Sequence, residues 1–247
     1  MKYFLRNWIQ EVKTLSNDWH YLVMLALGSG LLFGAFHMAE TLARINDTLN
    51  SSTPVGDLLF TILPAYDLSF VFVFGAFFIG SVGIFYALFF EPRKIPLVLI
   101  AFSLFISIRG ICISLTHISI PPDSIPPLVG GFGDYFFQND LFFSGHTGAP
   151  FLGALLLWKK KYWRYFFLGS SVIMAFTVLI MRLHYSIDIV GAYFITYGIY
   201  HIALAINNAE LNRYRENLIR IAQTEWELGK SVIKKIRLGR SQRKFRK

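Results

Sequence analysis

Runs of about 20 apolar residues follow one another along this chain with only short polar breaks, a length matched to the hydrocarbon core of a bilayer. Inside hydrocarbon every backbone N–H and C=O needs a partner within the protein, so only helices and closed barrels are open to such a chain. The runs here are continuous rather than alternating, which selects helices. Composition agrees: 54% of the 247 residues are hydrophobic and 16% are charged, against about 25% charged in soluble domains. Spans are expected at residues 21–38, 68–90, 95–116, 144–157, 165–181 and 186–206. The fourth is short for a full crossing and either extends toward Lys159 or starts in a partly wet cavity. Glu91-Pro92-Arg93-Lys94 forms a tight turn between the second and third, with Pro92 ending the helix. The first run has no small-residue cleavage site after it and is read as a retained span.

Basic residues orient the bundle. With the N-terminus in the cytoplasm, all but Arg44, Arg109 and Arg182 of the 24 Lys and Arg residues fall on the cytoplasmic side, as the positive-inside rule requires of six spans. The reading is therefore all-α: an integral membrane bundle of six transmembrane helices with cytoplasmic termini. Residues 1–20 form an amphipathic cytoplasmic segment, 21–206 the catalytic membrane domain and 207–247 a basic cytoplasmic tail. The net charge of +9 follows from this topology, and nucleic acid is not expected as a partner. The tail alternates Leu218, Ile221, Trp226, Leu228 and Val232 with basic residues, a pattern suited to lying on an anionic leaflet; a solvated tail is the other reading, favoured beyond Gly239. Cys112 is the single cysteine, so no intramolecular disulfide can form.

The unusual residues gather at the extracytoplasmic ends. The loop 119–139 is rich in Pro and Gly and has no basic residue, which suits a rim or lid. Ser144-Gly145-His146-Thr147 opens the fourth span, where a helix N-terminus offers free N–H groups and a positive dipole end to a phosphate, and Gly145 admits close approach. Arg182 ends the fifth span, and His184-Tyr185-Ser186-Ile187-Asp188 opens the sixth. The His184-x-x-x-Asp188 spacing places both side chains on one helix face, where a carboxylate orients an imidazole and stabilises its cation. Arg109 lies in the third span, where an arginine is costly unless it meets an anion. Two imidazoles, an acid, two arginines and a helix N-terminus suit phosphoryl transfer, in which positioning and charge stabilisation do most of the catalysis.

Other readings exist for single residues. His146 alone suits a capping or packing role, Asp188 an ion pair with Arg182, Arg109 a pair with Asp67 or Asp140, and Asp140 a helix cap. His20, His37, His117 and His201 read as packing, interfacial or loop residues. Two histidines and a carboxylate could also bind zinc, but the sequence supplies no clear third strong ligand, so neither metal nor cofactor is expected.

At these residues the chain resembles the type 2 phosphatidic acid phosphatase superfamily, with its Ser-Gly-His motif followed by His-x-x-x-Asp. It is more similar to the sphingomyelin synthase-like branch in Asp140-x-x-x-Ser144-Gly145-His146-Thr147, in the Tyr185 after His184, and in Ala192-Tyr193-Phe194-Ile195-Thr196. The likeness covers roughly residues 103–197. It implies His184 as nucleophile on phosphorus, Asp188 as its orienting carboxylate, His146 as general acid and then base, and Arg109 as phosphate ligand. Asp140, Ser144, Gly145, Thr147 and Arg182 complete the expected substrate-binding set. The phosphatases' Lys-x6-Arg-Pro motif is absent, and their arginine six residues before the second histidine is Val178 here. The resemblance thus implies headgroup transfer from a membrane phospholipid donor to a lipid alcohol acceptor, ceramide or diacylglycerol. A lipid phosphate phosphatase using water is the alternative, and a non-catalytic lipid-binding membrane protein the second.

Overall fold

The computed structural model of the chain describes residues 2–49, 54–115, 118–127 and 141–244, and these form helices joined by loops, with no strand among them. The helices are α1 (Lys2–Ser16), α2 (Trp19–Leu49), α3 (Leu58–Ile62), α4 (Ser69–Phe90), α5 (Ile95–Leu115), α6 (Gly145–Leu156), α7 (Lys161–Ile180) and α8 (Ser186–Lys244). A single 3-10 turn, Pro92–Lys94, links α4 to α5. Five helical stretches are long and apolar enough to cross a bilayer: Trp19–Ile45, Ser69–Phe90, Pro92–Leu115, Lys161–Ile180 and Ser186–Ala209. The fourth expected span is α6, whose 12 residues reach only about 18 Å at 1.5 Å per residue, short of a hydrocarbon core of about 30 Å.

The first helix of the bundle is longer than its apolar run. Beyond Met38, Glu40 and Arg44 close an ion pair at 2.7 Å across one turn, and such i,i+4 pairs extend a helix past the point where hydropathy stops. Phenylalanine covers the outside of α4: Phe70, Phe74, Phe77, Phe78 and Phe85 are all exposed, a surface that only hydrocarbon would solvate well. Lipid gives helices no hydrophobic reason to associate, so close packing at small residues holds them together. Gly110 shows this, since a Cβ there would sit 3.4 Å from the Ala39 backbone.

Two buried clusters flank the middle of the bundle. Ile100, Ala101 and Phe105 of α5 pack with Leu152 and Leu156 of α6 and Ala192, Ile199 and Ala203 of α8. Phe72 of α4 packs with Met174, Val178 and Leu179 of α7 and Ile189 of α8. The short α6 thus has α5, α7 and α8 for neighbours. Ser144 caps it, accepting the Thr147 N–H at 3.4 Å, and Ser171 of α7 donates to the Thr147 carbonyl at 2.8 Å.

The α4–α5 end is polar. Glu91, 16% exposed, lies 2.7 Å from Lys160 and 3.3 Å from Lys94. Burial alone would push its carboxyl up, but the two lysines outweigh burial and hold it below the usual carboxylate range. Helix α1 is fastened to this end by the Trp8 indole N–H on the Leu88 carbonyl at 3.0 Å and by Arg93 on Glu11 at 2.9 Å.

The chain divides into two compact units, Met1–Leu204 and Ala205–Lys247. In the second, Arg213, Glu216, Arg220, Gln223, Trp226 and Lys230 are exposed, and the Lys230 ammonium lies 5.4 Å from the Trp226 ring.

Candidate active site

His184 sits in the turn between α7 and α8, and Asp188 in the first turn of α8. The one-turn separation brings the His184 Nδ1 to 3.3 Å from an Asp188 carboxylate oxygen, both groups being buried. The same oxygen accepts the Tyr185 N–H at 2.9 Å. Nδ1 is also 2.8 Å from the Leu141 carbonyl. A carbonyl can only accept, so Nδ1 carries the hydrogen and the neutral imidazole keeps its lone pair on Nε2. The second Asp188 oxygen is buried with no hydrogen-bond partner among the described residues.

The two motifs meet through the backbone as well, the Ser144 N–H donating to the Asp188 carbonyl at 3.2 Å. His146 follows as the second residue of α6, its ring 4.1 Å from that of the buried Phe72 and tilted by 32°. Arg109 reaches across from α5, and its Nε–H donates to the Phe143 carbonyl at 2.8 Å. Gly145 favours this approach: a Cβ there would stand 3.1 Å from Arg109 Nε and 3.3 Å from Cζ, so the guanidinium would have to give by a few tenths of an ångström. An arginine fork therefore lies against the N-terminus of α6, where the helix dipole already favours an anion.

Arg182 has a different setting. It adopts φ 53°, the left-handed region that side chains seldom occupy. Its guanidinium bonds Asp123 at 2.9 Å, the Phe60 carbonyl at 3.3 Å and the Pro122 carbonyl at 3.5 Å, with the Phe60 ring 5.3 Å away. The alternative pairing of Asp188 with Arg182 does not form: Asp188 lies beside His184, as expected, and Arg182 pairs with Asp123, because the turn aims the two side chains at different elements. Asp67 accepts from the Ser69 N–H at 2.8 Å, a local turn rather than a pairing with Arg109. Asp140 and His117 lie outside the described residues.

Three contributors were not singled out from the sequence. Leu141 acts through its carbonyl, which no side-chain pattern signals, and Phe72 is one of 25 phenylalanines. Asp57 accepts both the Leu59 N–H and the Ser186 N–H; an aspartate before an apolar run is a legible helix cap, but its second bond is not. Among the described residues no three His, Cys, Asp or Glu side chains cluster as a metal site.

Residues 139–205 match the family model described as PAP2 superfamily C-terminal. The matched stretch carries His146, His184 and Asp188, while Arg109 lies outside it. No curated protein and no solved structure is matched by the chain. The match supports the type 2 phosphatidic acid phosphatase superfamily, and with it an enzyme of lipid phosphatase or phosphotransferase type. Together with five apolar helices among the described residues it supports an integral membrane protein. The match does not separate the superfamily's branches.

Proposed function

We propose that this protein is a membrane lipid phosphotransferase that moves a phosphorylated headgroup from a glycerophospholipid to a lipid alcohol, ceramide or diacylglycerol, as in the sphingomyelin synthase-like branch. The observation that carries the reading is His184, whose Nδ1–H lies between the Leu141 carbonyl and Asp188, leaving Nε2 as a nucleophile of defined tautomer. In the first step Nε2 attacks the donor phosphorus. The bond from phosphorus to the diacylglycerol oxygen breaks, and His146 donates a proton to that oxygen. In the second step His146 takes the proton of the acceptor hydroxyl, whose oxygen attacks phosphorus and releases His184. Arg109 and the Gly145 N–H at the start of α6 hold the phosphate oxygens.

Asp188 stabilises the charge that His184 acquires as the phosphorus–nitrogen bond forms. A fully buried carboxylate with one unbonded oxygen is costly beside a neutral partner and favourable beside a cation. In this reading α6 and the residues that follow it to Lys159 complete a sixth crossing. Both termini are then cytoplasmic, the site is extracytoplasmic and the basic tail rests on anionic lipid.

Transfer to water instead of a lipid alcohol would make the protein a lipid phosphate phosphatase, a reading favoured by the match to a superfamily that contains such enzymes. Reconstitution in liposomes of phosphatidylcholine, phosphatidylethanolamine and ceramide, followed by mass spectrometry of lipids and free headgroups, separates the two. A new phosphosphingolipid with matching diacylglycerol establishes transfer; free phosphate or phosphorylated headgroup without a new lipid establishes hydrolysis.

A further inference from the structure

The turn that carries His184 is gripped by a second carboxylate, 129 positions away in the chain. One Asp57 oxygen accepts the Leu59 N–H at 2.9 Å and caps α3; the other accepts the Ser186 N–H at the first residue of α8. The neighbouring Tyr185 N–H goes to Asp188 at 2.9 Å. Successive amides of the turn are thus held by two different carboxylates, and one of those is the orienting acid itself. Tyr185, 1% exposed, adds a second stitch: its hydroxyl accepts the Val55 N–H at 3.2 Å and donates to the Ser119 carbonyl at 3.0 Å.

We propose that Asp57 is a positioning residue for the His184 site, fixing through Ser186 the start of α8 from which His184 and Asp188 are aimed. The inference rests on the phosphotransfer reading for its effect on rate. An orphan donor at a helix start needs a partner, and an anionic one also meets the positive end of the dipole. A carboxylate with one oxygen on each of two elements couples them more stiffly than a cap serving one. Attack on phosphorus depends on a near-attack alignment in which a shift of about 1 Å costs roughly a hundredfold, so slack in this turn appears in the chemical step and not in substrate binding.

Two substitutions cut the same bond from opposite sides. Asp57→Ser keeps a favoured cap for Leu59 but has no second oxygen for Ser186. Ser186→Pro removes that N–H, at the first helical position, where proline is accepted. Measured with the phospholipid donor in liposomes, each is expected to lower kcat about tenfold, the size of one charge-assisted hydrogen bond, with KM changed less than about twofold. The double variant should be no slower than either single one, because both remove one interaction. Amides of residues 187–189 should exchange with deuterium faster in both. Wild-type kcat in either single variant, or losses that multiply in the double, would overturn the proposal. If the wild type turns over no phospholipid, the phosphotransfer reading falls, and the clamp is then judged by exchange alone: faster in both variants supports it, and unchanged exchange overturns it.

Discussion

The Ser144 amide donates to the Asp188 carbonyl at 3.2 Å, so the Ser-Gly-His turn and the His-x-x-x-Asp turn are joined by backbone rather than by side chains alone. The same approach brings the Leu141 carbonyl onto His184 Nδ1 at 2.8 Å. The tautomer of His184 is therefore set by the meeting of two segments, and disturbing either should affect both histidines.

Asp188→Asn tests that tautomer. An amide can present its N–H to the imidazole and neither favours the Nδ1–H form nor stabilises an imidazolium. The expected kcat loss is up to about ten-thousandfold, the size seen when an orienting carboxylate is neutralised. KM for the donor should change little, which steady-state kinetics in liposomes reads directly.

Gly145→Ala tests the approach of Arg109 to the helix N-terminus. The added methyl would lie 3.1 Å from Nε, so the guanidinium must retreat. We expect KM for the phospholipid to rise about tenfold or more, in line with a displaced charge-assisted contact to phosphate, while the melting temperature falls by only a few degrees. Unchanged KM would remove Arg109 from the phosphate site.

Arg182 and Asp123 separate a loop clamp from a phosphate ligand. Asp123 is 80% exposed, so Asp123→Asn should change stability by less than about 1 kcal/mol and leave activity intact. Arg182→Gln also loses the contacts to the Phe60 and Pro122 carbonyls and should cost about 1–3 kcal/mol in unfolding free energy. A specific rise in KM with unchanged stability would instead assign Arg182 to the substrate.

Glu91 supplies a pH-dependent contribution to stability. Lys160 and Lys94 outweigh the opposing effect of burial and hold its carboxyl below the ordinary range. Its stabilisation is thus present above the unfolded carboxylate value of about 4.3 and is lost as pH falls through the lower folded value. Melting temperatures of wild type and Glu91→Gln should differ near neutral pH and converge below about pH 4.

Much of this molecule is legible in its sequence because hydrocarbon is an undemanding reader. The α4 run from Ser69 to Phe90 lies within the expected 68–90, and α6 at Gly145–Leu156 within 144–157. What the apolar pattern could not give was where helices go on after hydropathy ends, as α2 does through the Glu40–Arg44 pair and α8 does beyond residue 206. At the site, His184 with Asp188 could be paired from spacing, although His184 lies in the turn before α8 and not on the helix itself. The partners supplied from far along the chain could not. Arg182 read as a phosphate ligand because its sequence position adjoins His184, yet the left-handed turn at φ 53° carries its side chain to Asp123.

The central claim is that His184 is the nucleophile, and the most direct measurement is the mass of the protein itself. Wild type, His184→Ala and His146→Asn, each mixed with phospholipid liposomes and quenched in alkali, would be digested and analysed by mass spectrometry. The account predicts an acid-labile phosphorylated-headgroup adduct on His184 in the wild type, slowed turnover in His146→Asn, which lacks the acid of the first step and the base of the second, and neither adduct nor turnover in His184→Ala. Sustained turnover in His184→Ala, or an adduct carried by a residue other than His184, would contradict it.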